Sequence, residues 1–392
     1  MEVRKLYYED CAQQEFVATV TDCRETGKGF AVILDATAFY PEGGGQACDL
    51  GMLNDARVLD VREEDGRILH LCDRALTAGS RVTGTIDWKR RFDLMQQHTG
   101  EHIVSGIIHQ MFGWHNVGFH MGADVITIDF DGMIPSDALP EIEQRANEAV
   151  WADLPVAGWY PGEEELPALS YRTKKALPWP VRIVEIPGYD RCACCGVHVK
   201  STGQIGLIKL LSCVKFHQGV RIEMVCGGRA LQLLSRVYEQ NRLVSQAFSA
   251  KLLETGTAAE KMNEMLAAEK FRATGLQRQL FDRIAADYAG RGNVLYFAQG
   301  LEPTALRELA DRIAQTCGGT AAVFCGSDDA GYSVCLVNKN EDIKALGQAM
   351  NQALNGRGGG KPGFFQGSVR GTKFQITAFF TSGSLGFCTE CQ

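Results

Sequence analysis

The chain has 392 residues, a net charge of −7 and an apolar fraction of 45%. That length asks for roughly two to four folding units with sizeable cores, and the acidic balance argues mildly against non-specific nucleic-acid binding as the main business without excluding an RNA substrate. No run approaches the roughly 18 apolar residues of a membrane span, the first residues lack the apolar centre of a secretory signal, and the fourteen cysteines are scattered. A cytoplasmic protein with reduced thiols and no membrane partner is therefore expected.

Residues 1–88 alternate short β-rich runs (FVATVTDC, GFAVILDATAFY, ARVLDVREEDGRILHLC, RVTGTIDW) at spacings near ten, which predicts a small β-barrel or sandwich, with Asp65-Gly66 as a hairpin turn. From Lys89 the period becomes helical: Phe92, Met95, Ile103, Ile107, Ile108 and Met111 share a face, and Gly113 ends it. A strand (VITIDF), a capped helix from Ser136 through Ala152 and strands near 181–186 and 205–210 complete an α/β block over 89–228. Residues 229–289 read as two helices broken at Gly256-Thr257, a spacer or dimerisation arm. The last segment, 290–392, alternates strand, helix, strand, strand and helix, ending in a Gly-rich loop. The fold class expected is multidomain α+β.

The chemistry concentrates in a few places. His98 and His102, in QQHTGEH, stand at i and i+4, so both rings project from one helix face and can share one Zn²⁺. In RCACCGVH, Cys194 and His198 would complete a His₃Cys set, with Cys192 and Cys195 as nearby spare thiols. Glu101 makes an inverted zincin string, H-x-x-E-H, with the carboxylate as a general base, but that pattern needs a third carboxylate ligand and here a thiolate follows. A thiolate weakens the Lewis acid, which favours an activated ester over a peptide as substrate. In FYPEGGGQ, Gly43, Gly44 and Gly45 allow close backbone approach to a substrate, and Gln46 adds an uncharged donor and acceptor. His120, in GFHMG, is a candidate pocket residue; the other unpaired histidines read as core or surface. The loop NGRGGGKPG is not a Walker A motif, since Asn355 stands where its first Gly belongs and Pro362 where its Ser or Thr belongs. Its amides, with Arg357, Gly358, Gly359, Gly360 and Lys361, could still hold an RNA phosphate. Lys89-Arg90-Arg91 and Arg172-Thr173-Lys174-Lys175 are further basic clusters, and Cys388-x-x-Cys391 is a weak metal or redox motif.

FYPEGGGQ, QHTGEH, CGVH, a helical arm and GRGGGKPGFFQG, in that order, resemble the long-form freestanding alanyl-tRNA editing proteins of the AlaX type, relatives of the editing and C-terminal domains of alanyl-tRNA synthetase. The resemblance implies an N-terminal β-barrel, an editing domain of the threonyl/alanyl-tRNA synthetase type, a helical linker and a C-terminal RNA-associated domain. It implies hydrolysis of the ester in mischarged tRNA-Ala, chiefly Ser-tRNA-Ala and also Gly-tRNA-Ala. One zinc per chain would sit on His98, His102, Cys194 and His198, with Gln46 in an editing role, and a homodimer could form through the arm or the C-terminal domain. Two departures stand out: Val197 where the family has Thr in C-G-G-T-H, and Glu101 where the synthetases have Thr or an apolar residue. The H-T-x-E-H string also resembles S-ribosylhomocysteine lyase, a small single-domain enzyme, against which the extra domains count. The alternatives are a zinc metallopeptidase and a non-catalytic tRNA-binding protein with structural zinc.

Overall fold

The computed structural model describes residues 3–173, 179–382 and 386–389, and divides into two compact units, 1–244 and 245–392. In the first unit, Glu15–Thr26, Gly29–Leu34, Arg67–Cys72, Ala56–Glu64, Gly51–Leu53 and Arg81–Ile86 follow one another round a closed antiparallel barrel. Arg81–Ile86 alternates exposed and buried residues one by one, as a strand with one wet face must. Asp65 (φ 49°) and Gly66 (φ 73°) make the two-residue hairpin turn.

Helix Trp88–Phe112 leaves the barrel with Asp87 as its cap, accepting from the Arg90 amide, and stops at Gly113 in the left-handed region. Its glycines let it lie close to its neighbours: a Cβ on Gly100 would come within 2.3 Å of Cys226 Sγ, and one on Gly106 within 2.3 Å of the Tyr189 carbonyl. The helix packs with helix Leu139–Trp151 and a four-stranded antiparallel sheet ordered Ile208–Phe216, Gly219–Cys226, Ile126–Phe130, Asn116–Met121. A second sheet joins Ala157–Trp159, Ile183–Ile186 and Asp190–Ala193. One apolar cluster runs from Val3 to Cys226, so barrel and α/β block share a core. The helix expected from Ser136 begins as a 3-10 turn, Ser136–Ala138, and continues as Leu139–Trp151 without any side-chain cap.

Arg91 corrects a reading of the sequence. Expected on the surface with Lys89 and Arg90, it is fully buried, its Nε 2.8 Å from Asp49 Oδ1 and its Nη1 3.0 Å from the Cys11 carbonyl. Its Nη2 also donates to the Ala38 carbonyl and to Asp49. The guanidinium thus fastens the helix to the barrel. Arg91→Ala strands a buried carboxylate and is expected to cost about 3–5 kcal/mol, read as a lower urea midpoint at unchanged slope.

Helix Gly227–Phe248 is followed by Thr255–Asp287. The break therefore precedes Gly256, which lies inside the second helix; Ser249 turns the chain with φ 51°, and Ser245 Oγ donates to the Ala250 carbonyl. In the second unit, a five-stranded sheet is ordered Gly292–Ala298, Gly318–Ser327, Gly331–Val337, Phe364–Val369, Arg357–Lys361, with only the first pair parallel. Helix Pro303–Thr316 and the end of Thr255–Asp287 contribute to one core, and Lys344–Ala353 and Lys373–Thr381 to the other. The last helix carries a Thr372/Gln375 capping box that the sequence reading passed over.

The Gly-rich segment expected as a phosphate-cradling loop is instead an exposed strand, Arg357–Lys361, paired with Phe364–Val369. Its glycines serve close pairing: a Cβ on Gly360 would lie 1.9 Å from the Phe364 carbonyl and one on Gly358 2.6 Å from that of Gln366, while Gly359 is open. Cys391 and Lys174-Lys175 lie outside the described residues, so the C-x-x-C and the second half of the basic 172–175 cluster do too.

Candidate metal centre

His98 and His102 sit mid-helix in Trp88–Phe112, and Cys194 and His198 flank the turn after strand Asp190–Ala193. All four side chains are buried, and one donor atom from each lies within 4.8 Å of the others. Cys194 Sγ is 3.5 Å from His98 Nε2 and 3.4 Å from His198 Nε2. A tetrahedral zinc site with ordinary Zn–N and Zn–S bonds has N···S edges of about 3.5 Å, so the spacing fits that ion. Of the three neighbouring cysteines, Cys194 joins the imidazoles. Cys195 is exposed, and burial pushes the Cys192 thiol up to about 11.

Each imidazole turns Nδ1 toward an acceptor and leaves Nε2 for the centre. His98 Nδ1 donates to Gln46 Oε1 (2.8 Å), an oxygen that also accepts from the Val197 amide (3.2 Å), which fixes the amide's orientation. His102 Nδ1 donates to Asp190 Oδ2 at 2.8 Å. Thr99 gives its own proton to the Met95 carbonyl and so accepts from His198 Nδ1, at 3.3 Å. Such partners set tautomer and ring orientation in histidine metal sites. Burial and the neighbouring His98 push His198 down to about 3, leaving it neutral as a ligand must be. Burial alone would raise the Cys194 thiol, but the three imidazoles hold it well below the ordinary value, as a thiolate.

The ligand turn is clamped from outside as well. Arg182 Nη1 donates to the carbonyls of Cys194 (3.0 Å) and Gly196 (2.9 Å), its guanidinium stacks on Tyr8 at 4.6 Å, and Tyr8 Oη donates to the Cys195 carbonyl at 2.7 Å. Gly196 is required by sterics: a Cβ there would meet His98 Cε1 at 2.2 Å and Nδ1 at 2.4 Å.

Beside the four donors lies a cavity of about 300 Å³, walled by Gly44, Glu101, Asn116, Phe119, Arg172 and the 192–195 strand end. Glu101 is buried: Oε1 accepts from Ser105 Oγ at 2.6 Å and from Asn116 Nδ2, and Oε2 lies 3.9 Å from His102 Nε2. The glycine loop is a tight turn closed by reciprocal Gly43–Gln46 backbone bonds, with Gly44 and Gly45 at φ 60° and 84°. Gly44 reaches the cavity; a Cβ on Gly45 would strike the Phe119 ring at 2.7 Å.

Two expectations change. Gln46 does not line the cavity; it is wholly buried behind His98 and holds that ring through its Oε1. His120 is exposed, because strand alternation turns its neighbour Phe119 inward, where that ring stacks on His98 at 5.3 Å. Asp190 and Asn116 were missed, since single polar residues on strands carry no spacing signal, and Arg172, read as part of a basic cluster, instead pairs with Asp190 beside the cavity.

Three family models match the chain in order: tRNA synthetases class II (A) over residues 3–90, the threonyl and alanyl tRNA synthetase second additional domain over 181–223, and the DHHA1 domain over 291–379. The alanyl-tRNA editing protein Aarsd1 of Danio rerio is 27% identical, over 92% of each chain. The alanine–tRNA ligases of Thermofilum pendens and Natronomonas pharaonis are 31% and 33% identical over 94% and 93% of this chain. The chain spans 42% of the length of those two ligases. All three modules match in chain order, and the chain is similar to alanyl-tRNA editing proteins along nearly the whole of both chains and to part of the alanine–tRNA ligases.

Proposed function

We propose that this chain is a zinc-dependent aminoacyl-tRNA deacylase that clears mischarged tRNA-Ala, chiefly Ser-tRNA-Ala and also Gly-tRNA-Ala. The observation that carries the proposal is the buried His₃Cys cluster opening onto a 300 Å³ cavity that holds a carboxylate. Names of relatives, alanyl-tRNA editing protein among them, supply the substrate class. A peptidase is disfavoured because a thiolate stands where the H-x-x-E-H pattern needs a carboxylate ligand.

Zinc held by His98, His102, Cys194 and His198 would supply a positive charge beside the cavity and polarise a substrate group that reaches it. Glu101 Oε2 would take the proton of the water that attacks the ester carbonyl, a role supported by the hold of Ser105 and Asn116 on Oε1. The tRNA 3′-terminal ribose hydroxyl leaves with a proton. Phe119 and Gly44 shape the wall against which the aminoacyl group rests. Serine is separated from alanine by a hydrogen bond to its hydroxyl, worth most where the partner would otherwise stay unpaired.

The same proposal covers four functional segments at 1–88, 89–228, 229–289 and 290–392, tRNA contact by Arg357 and Lys361 on the exposed edge strand, and a cytoplasmic setting. Exposed Leu231, Val237, Leu276 and Leu280 support a homodimer through the helical arm. Among the described residues no helix is long and apolar enough to cross a membrane.

Incubation with Ser-, Gly- and Ala-tRNA-Ala tests the reading: rapid loss of the first with the last spared is expected, and equal loss of all, or of none, refutes it. Glu101→Gln is expected to slow single-turnover deacylation about 10²–10³-fold with zinc content unchanged. Wild-type turnover in that variant would remove Glu101 from the proton path.

A further inference from the structure

Asp190 is the one acidic side chain bonded to a histidine of the cluster through Nδ1 among the described residues, and it is itself paired. Its Oδ2 accepts from His102 Nδ1 at 2.8 Å. Arg172 Nε and Nη2 grip the two carboxylate oxygens at 2.7 and 2.8 Å. The Asp190 side chain is 1% exposed and that of Arg172 12%. Since Asp190 meets the ring on the side away from Nε2, it stands behind His102 and not among the donors.

This arrangement has two electrostatic parts that act in opposite directions. A carboxylate behind a ligating imidazole fixes its tautomer and makes Nε2 a better donor. Left alone, it would also add a second negative charge to a site that already has the Cys194 thiolate. Arg172 cancels that charge through a bidentate pair, the geometry for which a guanidinium is suited. Gln46 and Thr99 serve the other two histidines with neutral oxygens, so His102 is the ligand whose donor strength is set by a charge.

We propose that Asp190 and Arg172 form a positioning pair that tunes His102: Asp190 raises the affinity of the His₃Cys site for a dication, and Arg172 restrains it so that the bound ion stays an effective Lewis acid. The proposal rests on the metal reading of the site. Loss of the Asp190 charge therefore weakens metal binding while loss of the Arg172 charge does not, whereas a merely structural salt bridge broken from either side weakens it alike.

The test is zinc affinity of the full-length chain, measured by competition with a chromophoric chelator, with far-UV circular dichroism of the metal-free forms as the folding control. Asp190→Asn is expected to weaken zinc binding about 10–100-fold. Arg172→Gln, which can still donate a hydrogen bond but carries no charge, is expected to bind zinc as tightly as wild type or more tightly, and to deacylate more slowly. Wild-type affinity in Asp190→Asn, or similar losses in both variants, would overturn the pairing. Should Asp190→Asn fail to fold, Arg172→Gln decides alone, a clear loss of affinity counting against it. A wild-type chain that takes up no zinc would instead bring down the underlying reading of the site.

Discussion

Cys194→Ala is expected to abolish both zinc retention and deacylation, the latter by about 10³-fold or more, while the chain stays folded. Cys194 supplies the one sulfur to a cluster otherwise built of imidazoles, and its Sγ lies 3.4–3.5 Å from the Nε2 atoms of His98 and His198. Removing it takes away a ligand and the negative charge that offsets the cost of burying a dication. The fold does not depend on it, because the first unit is held by a continuous apolar core from Val3 to Cys226. Thermal denaturation separates the two effects. An ion that binds only the folded form stabilises it by mass action, so a strong chelator should lower the melting temperature of the wild type and leave that of Cys194→Ala nearly unmoved. An equal drop in both would mean that the ion resides elsewhere.

Gly196→Ala carries the second large effect, from one methyl group. The new Cβ would sit 2.2 Å from His98 Cε1 and 3.0 Å from Gln46 Oε1. Neither neighbour can yield freely. His98 is tied to Gln46, Gln46 also accepts from Val197, and Arg182 holds the Gly196 carbonyl from the other side. Overpacking of this kind costs about 1–3 kcal/mol, and displacing the His98 ring should lose a further 10–100-fold in zinc affinity. Chelator competition and a denaturant titration read the two separately. Unchanged affinity would show that the turn relaxes away from His98.

The grouping of His98, His102, Cys194 and His198 was legible in the sequence because their spacing is a local property. An i, i+4 pair on a periodic helix shares a face whatever the fold, and Cys194 and His198 flank one turn. The barrel strands and the long helix were legible for the same reason, as alternation and a 3.6-residue period. What stayed hidden depends on long-range contacts. Arg91 reads as surface charge beside Lys89 and Arg90 until the barrel brings Asp49 to it from 42 residues away. Asp190 reads as an ordinary strand residue until helix and loop place His102 and Arg172 on its two sides. Gln46 was found as a polar residue in a glycine loop, yet its partner, His98, 52 positions later, gave it a different task. RGGGK looked like a loop because glycine has little strand preference, and only pairing with Phe364–Val369 makes it one.

The bond between Gln46 and His98 bears on how this protein could be taken apart or recombined. Gln46 comes from the barrel segment and Tyr8 from the chain before it, yet both hold parts of the candidate metal centre that belong to the following α/β block. A fragment cut at the sequence boundary near residue 88 would keep every ligand and lose the oxygen that sets the tautomer of one of them. The smallest portable unit is thus larger than the smallest unit containing the ligands. Exchange of the barrel between relatives is expected to be tolerated only where the incoming segment brings a side-chain acceptor to the same point.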